Sequence, residues 1–343
     1  LAGKPKIVAT NPVFPETRML LEEHATLDVN PALEPWAYEE VRLRCRDAAG
    51  LLAFMTDRID ADFLAACPDL RVIGAALKGF DNIDVQAATD AGVWLTIVPD
   101  LLTVPTAELA IGLMLSLGRN IVAGDRNIKR HGFHGWRAEL YGAGLAGTTV
   151  GIIGFGLVGR AIAERLAGFG CRLLAHDQSV PAALAKSWPY VTLTSFEEVF
   201  AGSDYVVLAL PLTANTRHIV NSRTIAAMKR GAILVNPARG SLVDEAAVAD
   251  AIDRGHLSGY AADVFECEDW ALEDRPTSID PRLTKPSAPT VFTPHIGSGV
   301  TETRRQIELS AARSILDVLA GRVPFGAVNN PDKQSDHAQS VAR

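Results

Sequence analysis

Apolar runs of strand length alternate with helix-length stretches along this chain. Lys6 to Thr10, Leu51 to Phe54, Val72 to Ala76 and Val93 to Ile97 each read as a short buried strand. Asp60 to Ala66 and Val85 to Ala91, lying between them, read as helices. Strands alternating with helices predict a mostly parallel sheet. Pro105 to Arg119 is longer and strongly apolar. It predicts a helix with Pro105 in its first turn, where a missing N–H does no harm. A second alternation begins at Thr148. Its strands are Thr148 to Ile153, Cys171 to Ala175, Tyr205 to Leu210, Ala232 to Val235, Gly259 to Val264 and Val291 to Thr293. Leu157 to Leu166 predicts a helix within this set, and Thr301 to Leu319 predicts one after it.

The second alternation sits in the middle of the chain. Residues 1–101 and 301–330 are therefore expected to form one domain, and 102–300 the other. Two crossings between domains predict a hinge with a cleft. The tail 331–343 is polar and expected to be disordered. Ligands of open parallel sheets bind beyond the strand C-termini, so residues just after strands carry the functional interest.

Composition narrows the classes. The chain has 343 residues, 48% apolar and 21% charged, with a formal net charge of −7 and no basic run. Two globular domains fit that length, and non-specific nucleic-acid binding is disfavoured. Cys45, Cys67, Cys171 and Cys267 are scattered, with no CxxC pair. They read as reduced thiols, with no metal site and no disulfide framework. No apolar run reaches membrane-spanning length, and the first residues lack the layout of a signal peptide. A cytoplasmic protein without membrane partners is expected.

The segment Gly151-Ile-Ile-Gly154-Phe-Gly156-Leu-Val-Gly159 contains Gly-x-Gly-x-x-Gly. It joins a predicted strand to a predicted helix. The next strand ends at Asp177, 18 residues beyond Gly159. This order of strand, turn, helix, strand and acid marks a dinucleotide-binding unit. Gly154 permits the turn, Gly156 admits a pyrophosphate, and Gly159 lets the helix pack on the strand. The helix N-terminus offers unpaired N–H groups to the phosphates. Asp177 would accept hydrogen bonds from the adenosine ribose and repel a 2′-phosphate, which predicts NAD over NADP.

Three later strand ends carry unusual polar residues: Asn236-Pro-Ala-Arg239-Gly, Asp263-Val-Phe-Glu-Cys-Glu268-Asp-Trp and Thr293-Pro-His295-Ile-Gly-Ser298. An Arg after a buried strand presents a planar fork to an anion. A carboxylate near an imidazole orients it and holds its tautomer. Alone, each has an ordinary reading as a salt-bridge partner, a loop acid or a structural histidine. Their joint order after the glycine motif favours a site.

Together these motifs resemble the D-2-hydroxyacid dehydrogenase superfamily. The resemblance implies two Rossmann-like, doubly wound parallel-sheet domains: a flavodoxin-like substrate domain, split around a central NAD-binding domain. It implies NAD as cofactor, a homodimer, and catalytic roles for Arg239, Glu268 and His295. A finer similarity, to the phosphite dehydrogenase branch, spans most of the chain. It rests on Ala53-Phe-Met55, Leu77-Lys78-Gly79-Phe-Asp81-Asn82, Pro99 to Glu108, Gly135-Trp136, Tyr141-Gly and Tyr260 to Trp270. Lys78, and Asp-Trp after Glu268, depart from the general family pattern and agree with this branch. The branch implies that Met55, Lys78, Gly79, Trp136, Tyr141, Ser298 and Arg304 line or approach the substrate pocket. Expected cofactor contacts are Thr106, Gly154, Gly156, Leu157, Val158, Gly159, Asp177, Pro211, Thr216, Ala238 and Asp263, the last at the carboxamide end of NAD.

The expected reaction is NAD-dependent oxidation of phosphite to phosphate. Phosphite is small and largely dianionic near neutral pH, and Lys78, Arg239 and Arg304 would supply three cations. A D-2-hydroxyacid dehydrogenase or 2-keto acid reductase would use the same Arg, Glu and His. An NAD(H)-sensing regulator on this fold would need binding but little turnover.

Overall fold

The computed structural model describes residues 3–180 and 187–331. The chain begins with Lys6–Ala9 (β1), Pro15–His24 (α1), Thr26–Val29 (β2), Tyr38–Cys45 (α2), Gly50–Ala53 (β3), Ala61–Ala65 (α3), Val72–Ala75 (β4), Val85–Asp90 (α4) and Trp94–Thr96 (β5). Asp60 and Asp84 cap α3 and α4 by accepting from the backbone N–H three residues on. Such caps satisfy donors that the helix itself cannot. The strands pair in parallel in the order β2-β1-β3-β4-β5, the flavodoxin-like order.

Next come Thr103–Gly118 (α5), Ile121–His131 (α6), Thr149–Ile153 (β6), Leu157–Leu166 (α7), Arg172–His176 (β7), Val191–Leu193 (β8), Phe196–Gly202 (α8), Tyr205–Leu208 (β9), Ser222–Ala227 (α9), Ala232–Asn236 (β10), Glu245–Asp253 (α10), Leu257–Ala262 (β11) and Thr290–Phe292 (β12). Among the described residues these form a seven-stranded parallel sheet, β12-β11-β10-β9-β6-β7-β8. Strand order reverses between β6 and β9, the place where doubly wound sheets bind nucleotides. Thr301–Leu319 (α11) then returns to the first sheet. Its Ile307, Ala311, Ala312, Ile315 and Val318 join the core of Ile7, Ala9, Leu52 and Val72.

Two compact units result. The first comprises the chain through Leu102, Trp270–Glu273 and the part from Val300 onward; the second comprises Thr103–Asp269 and Asp274–Gly299. Pro331 is the last described residue, so the expected disordered tail lies outside the described residues from 332 on.

Helix α5 packs inside the second unit, with Ala107, Ala110, Leu113 and Met114 buried against that unit's core. Its apolar length is accounted for by this core. Several exposed apolar side chains follow it closely in the chain: Ile121, Ile128, Phe133, Trp136, Leu140 and Tyr141. Among the described residues no single helix is long and apolar enough to cross a membrane. The α5–α6 pair is bent by 58°.

Candidate active site

The glycine turn lies at the reversal point. Gly154 has φ 94°, and a Cβ there would lie 2.3 Å from the Ala209 carbonyl oxygen. A Cβ on Gly159 would lie 2.1 Å from the Gly154 oxygen, so helix and strand meet only because both residues are glycine. Nothing lies within 4 Å of a Cβ placed on Gly156, the residue capping α7. Open space therefore faces the helix N-terminus, which suits a pyrophosphate. Leu157 and Val158 form the first turn of α7, with Leu157 exposed.

Asp177 follows β7, as expected. Its Oδ2 accepts from Phe155 N at 2.7 Å and its Oδ1 from Ser179 N at 2.8 Å. The carboxylate thus braces the glycine turn, and each oxygen retains acceptor capacity for a ribose hydroxyl. Thr216 Oγ1 donates to the Pro211 oxygen at 2.8 Å and accepts from Thr213 N, closing the loop after β9. These residues fit an NAD cradle, with the expected contacts on consecutive strand ends.

The three residues expected to be catalytic follow β10, β11 and β12. Asn236 ends β10. Its side chain accepts from Ala238 N and donates to the Arg239 carbonyl, shaping the turn that carries Arg239. The Arg239 Nη1 donates to the Ala238 oxygen at 2.8 Å. A one-turn 3₁₀ helix, Glu266–Glu268, follows β11. Glu268 Oε1 accepts from Phe265 N at 2.8 Å, and its Oε2 lies 3.0 Å from His295 Nδ1. Both side chains are about a quarter exposed. With Nδ1 committed to the carboxylate, Nε2 is the ring atom positioned to exchange a proton.

His295 has φ 53°, left-handed space that a residue with a Cβ enters at a cost of about 1–3 kcal/mol. Asp263 over-determines that shape. Buried at the end of β11, it accepts from Thr293 Oγ1, Ile296 N and Gly297 N at 2.5–2.8 Å. Burial raises its carboxyl above the usual range, and these hydrogen bonds counteract the rise. Asp263 is therefore the pillar of the His295 loop, a task additional to the cofactor contact expected of it. Thr106 of α5 lies against Gly297 in the same loop, and Ser298 follows it, half-buried.

The first unit gathers its own residues at the ends of β3 and β4. Met55 follows β3 and packs on the sheet core. Lys78 and Gly79 follow β4, half-buried. Burial lowers the Lys78 ammonium from its ordinary value, and Asp100 opposes that shift. Arg304, in the first turn of α11, donates to the Ala76 oxygen at 3.2 Å, and its guanidinium lies 5.9 Å from the Phe54 ring centre. Burial lowers it too, while Glu308 favours its charge. Glu308 was not anticipated from sequence. Its place four residues after Arg304 on one helix is the signal that could have found it. Trp136 and Tyr141 are not drawn into packed surroundings within their unit, being 77% and 74% exposed.

A nucleotide cradle at the strand reversal beside an Arg–Glu–His set defines an NAD-dependent oxidoreductase on a doubly wound fold. Residues 111–297 match the D-isomer specific 2-hydroxyacid dehydrogenase NAD binding domain, and the chain belongs to that family. It is 34% identical over 333 residues to a glyoxylate reductase of Aeropyrum pernix, covering 95% of this chain and 96% of that one. It is also 34% identical to D-3-phosphoglycerate dehydrogenase of Methanocaldococcus jannaschii, covering 95% of this chain and 60% of that longer protein. The TT0316 protein of Thermus thermophilus superposes with a TM-score of 0.84 at 34% identity, over 94% of this chain and all of that one.

Proposed function

We propose that the protein oxidises phosphite to phosphate, with phosphite, water and NAD giving phosphate, NADH and a proton. The observation that carries this reading is the pair of half-buried cations in the first unit: Lys78 after β4, and Arg304 in the first turn of α11, which donates to the Ala76 oxygen. Two cations in this unit suit a dianion better than a mono-carboxylate. The branch resemblance of the segments around Met55, Lys78 and Glu268-Asp-Trp supports it further.

Bound NAD supplies the hydride acceptor. Arg239 holds the anion and offsets charge crowding as water approaches phosphorus, and Lys78 supplies positive field in the first unit. His295 Nε2 accepts the proton from the attacking water, and Glu268 fixes the ring. Arg304 adds to the positive field on the substrate. The four cysteines are free thiols, which suits a reducing, cytoplasmic setting.

The relatives favour a second reading, because they are named for glyoxylate and phosphoglycerate rather than phosphite. On that reading His295 protonates the carbonyl of a 2-keto acid while Arg239 holds its carboxylate. The deciding assay is NADH formation from phosphite, with lactate and glycerate as controls, beside NADH consumption by glyoxylate. Phosphite should be turned over far better than any 2-hydroxy acid. Comparable or better activity on an organic acid would overturn the assignment in favour of the second reading.

We also propose a homodimer, formed through the exposed apolar side chains of α6 and the segment after it. Sedimentation at micromolar concentration tests this, and a monomer would refute it.

A further inference from the structure

The loops carrying Arg239 and Glu268 meet at one buried acid. Gly240 lies so close to the second loop that a Cβ on it would fall 1.9 Å from the Phe265 carbonyl carbon. Glu266, the next residue, is 9% exposed. Its Oε2 accepts from Glu245 N at 3.2 Å, and its own N–H donates to Glu245 Oε1 at 3.0 Å. Its Oε1 lies 2.5 Å from His218 Nε2, so the ring donates to the carboxylate.

His218 reaches the other loop as well. Its backbone N–H donates to the Ser241 carbonyl at 2.8 Å, two residues past Arg239. Ser241 N in turn donates to Asp269 Oδ2 at 2.6 Å, directly after Glu268. One residue thus bonds to both loops, with its ring on one and its backbone on the other. Its geometry is held in place: φ is 49°, left-handed, and Asn221 Nδ2 donates to its carbonyl at 2.8 Å. Its side chain is 37% exposed, so it does not serve as core packing. The neighbouring charges are Arg217, paired with Asp274 at 2.8 Å, and the buried Glu245 and Asp269.

We propose that His218 is a positioning residue, whose bonds to Glu266 and Ser241 keep the turn of Glu268 and the loop of Arg239 in register. The inference rests on the catalytic roles proposed above for Arg239, Glu268 and His295. Without the ring, the Glu266 carboxylate oxygen loses its partner in a buried place, and the turn carrying Glu268 relaxes. A small displacement of a catalytic pair is felt in the chemical step before it is felt in nucleotide binding.

The test uses the full chain as His218→Ala, His218→Gln, Glu266→Gln and the His218→Ala/Glu266→Gln double variant. Turnover is followed on whichever of phosphite or glyoxylate the wild type uses, and NAD affinity by direct titration. His218→Ala should lower kcat on the order of ten- to a hundredfold. NAD affinity should stay within about threefold, and the double variant should be no worse than His218→Ala. His218→Gln, whose amide nitrogen can replace Nε2, should recover most of the loss. Unchanged kcat in His218→Ala overturns the proposal. So does a His218→Gln as impaired as His218→Ala, or a fall in NAD affinity that tracks kcat, since either marks a residue needed only for folding. His295→Asn, measured alongside, separates the two layers. If it retains turnover, the catalytic roles themselves are wrong, whatever His218 does.

Discussion

His295 and Glu268, in the second unit, are fixed by carboxylates bonded to backbone N–H groups, whereas Lys78 and Arg304, in the first, sit half-buried with burial opposing their charge. The difference fits the roles proposed for each pair. A proton acceptor works only in one orientation, so its loop is over-determined, even at the expense of a left-handed backbone. An anion ligand needs field more than angle, and partial burial strengthens its field while making the charge harder to keep. Asp100 and Glu308 offset that difficulty by favouring the charged forms of Lys78 and Arg304.

The orientation half breaks most severely. His295→Asn should lower kcat by roughly two to four decades, the usual worth of a general acid–base group, with NAD affinity preserved. Asn is the suitable replacement because it tolerates the left-handed backbone. Turnover within a few-fold of wild type, in stopped-flow or steady-state assays, would exclude the imidazole from the chemistry.

The field half should fail as binding. Lys78→Ala should raise KM for the anionic substrate by about ten- to a hundredfold, the loss of a charge-assisted hydrogen bond. Its pH dependence follows from the lowered ammonium. Substrate binding requires the protonated form, so KM should climb as pH rises, beginning below the titration range of an ordinary lysine. For stability the sign reverses. The unfolded chain holds that proton more tightly, so this group's contribution improves with pH between its folded and unfolded values. A Lys78→Arg variant should flatten the alkaline rise in KM, and an identical rise in both proteins would remove Lys78 from the site.

The smallest effect concerns cofactor choice. The wild type should prefer NAD to NADP by at least roughly one decade, from the ribose bonds and like-charge repulsion at Asp177. Asp177→Ala with Gln178→Arg should relax or invert that ratio. An unchanged ratio of kcat/KM for the two nucleotides would mean that Asp177 only braces the turn through Phe155 and Ser179.

The parts legible in sequence were those with short-range causes. Leu157–Leu166 and Thr301–Leu319 are helices over the bounds their periodicity implies, and Gly154 and Gly159 of the turn are demanded by local space, whereas Gly156 faces open room. Strand ends pointed to Arg239, Glu268 and His295 because the residue after a buried strand has nowhere else to go. What escaped depends on residues brought together from far apart. Helix α6 and its exposed apolar side chains gave no clear signal beside α5, whose apolar character is the stronger. Asp263 bonds a loop some thirty residues later, and Glu308 accepts from Phe14 N at 2.8 Å across nearly the whole chain. No local pattern records such pairings.

The return of α11 to the first sheet also sets an order of assembly. Ile307, Ala311 and Ile315 complete a core whose other half, Ile7, Leu52 and Val72, is synthesised more than two hundred residues earlier. The second unit lies wholly between these halves and contains its own sheet. On the ribosome it can close first, while the early strands wait with an apolar face uncovered. That waiting surface is the aggregation-exposed stage of this chain, and truncation before Thr301 should leave a first unit that never shields it.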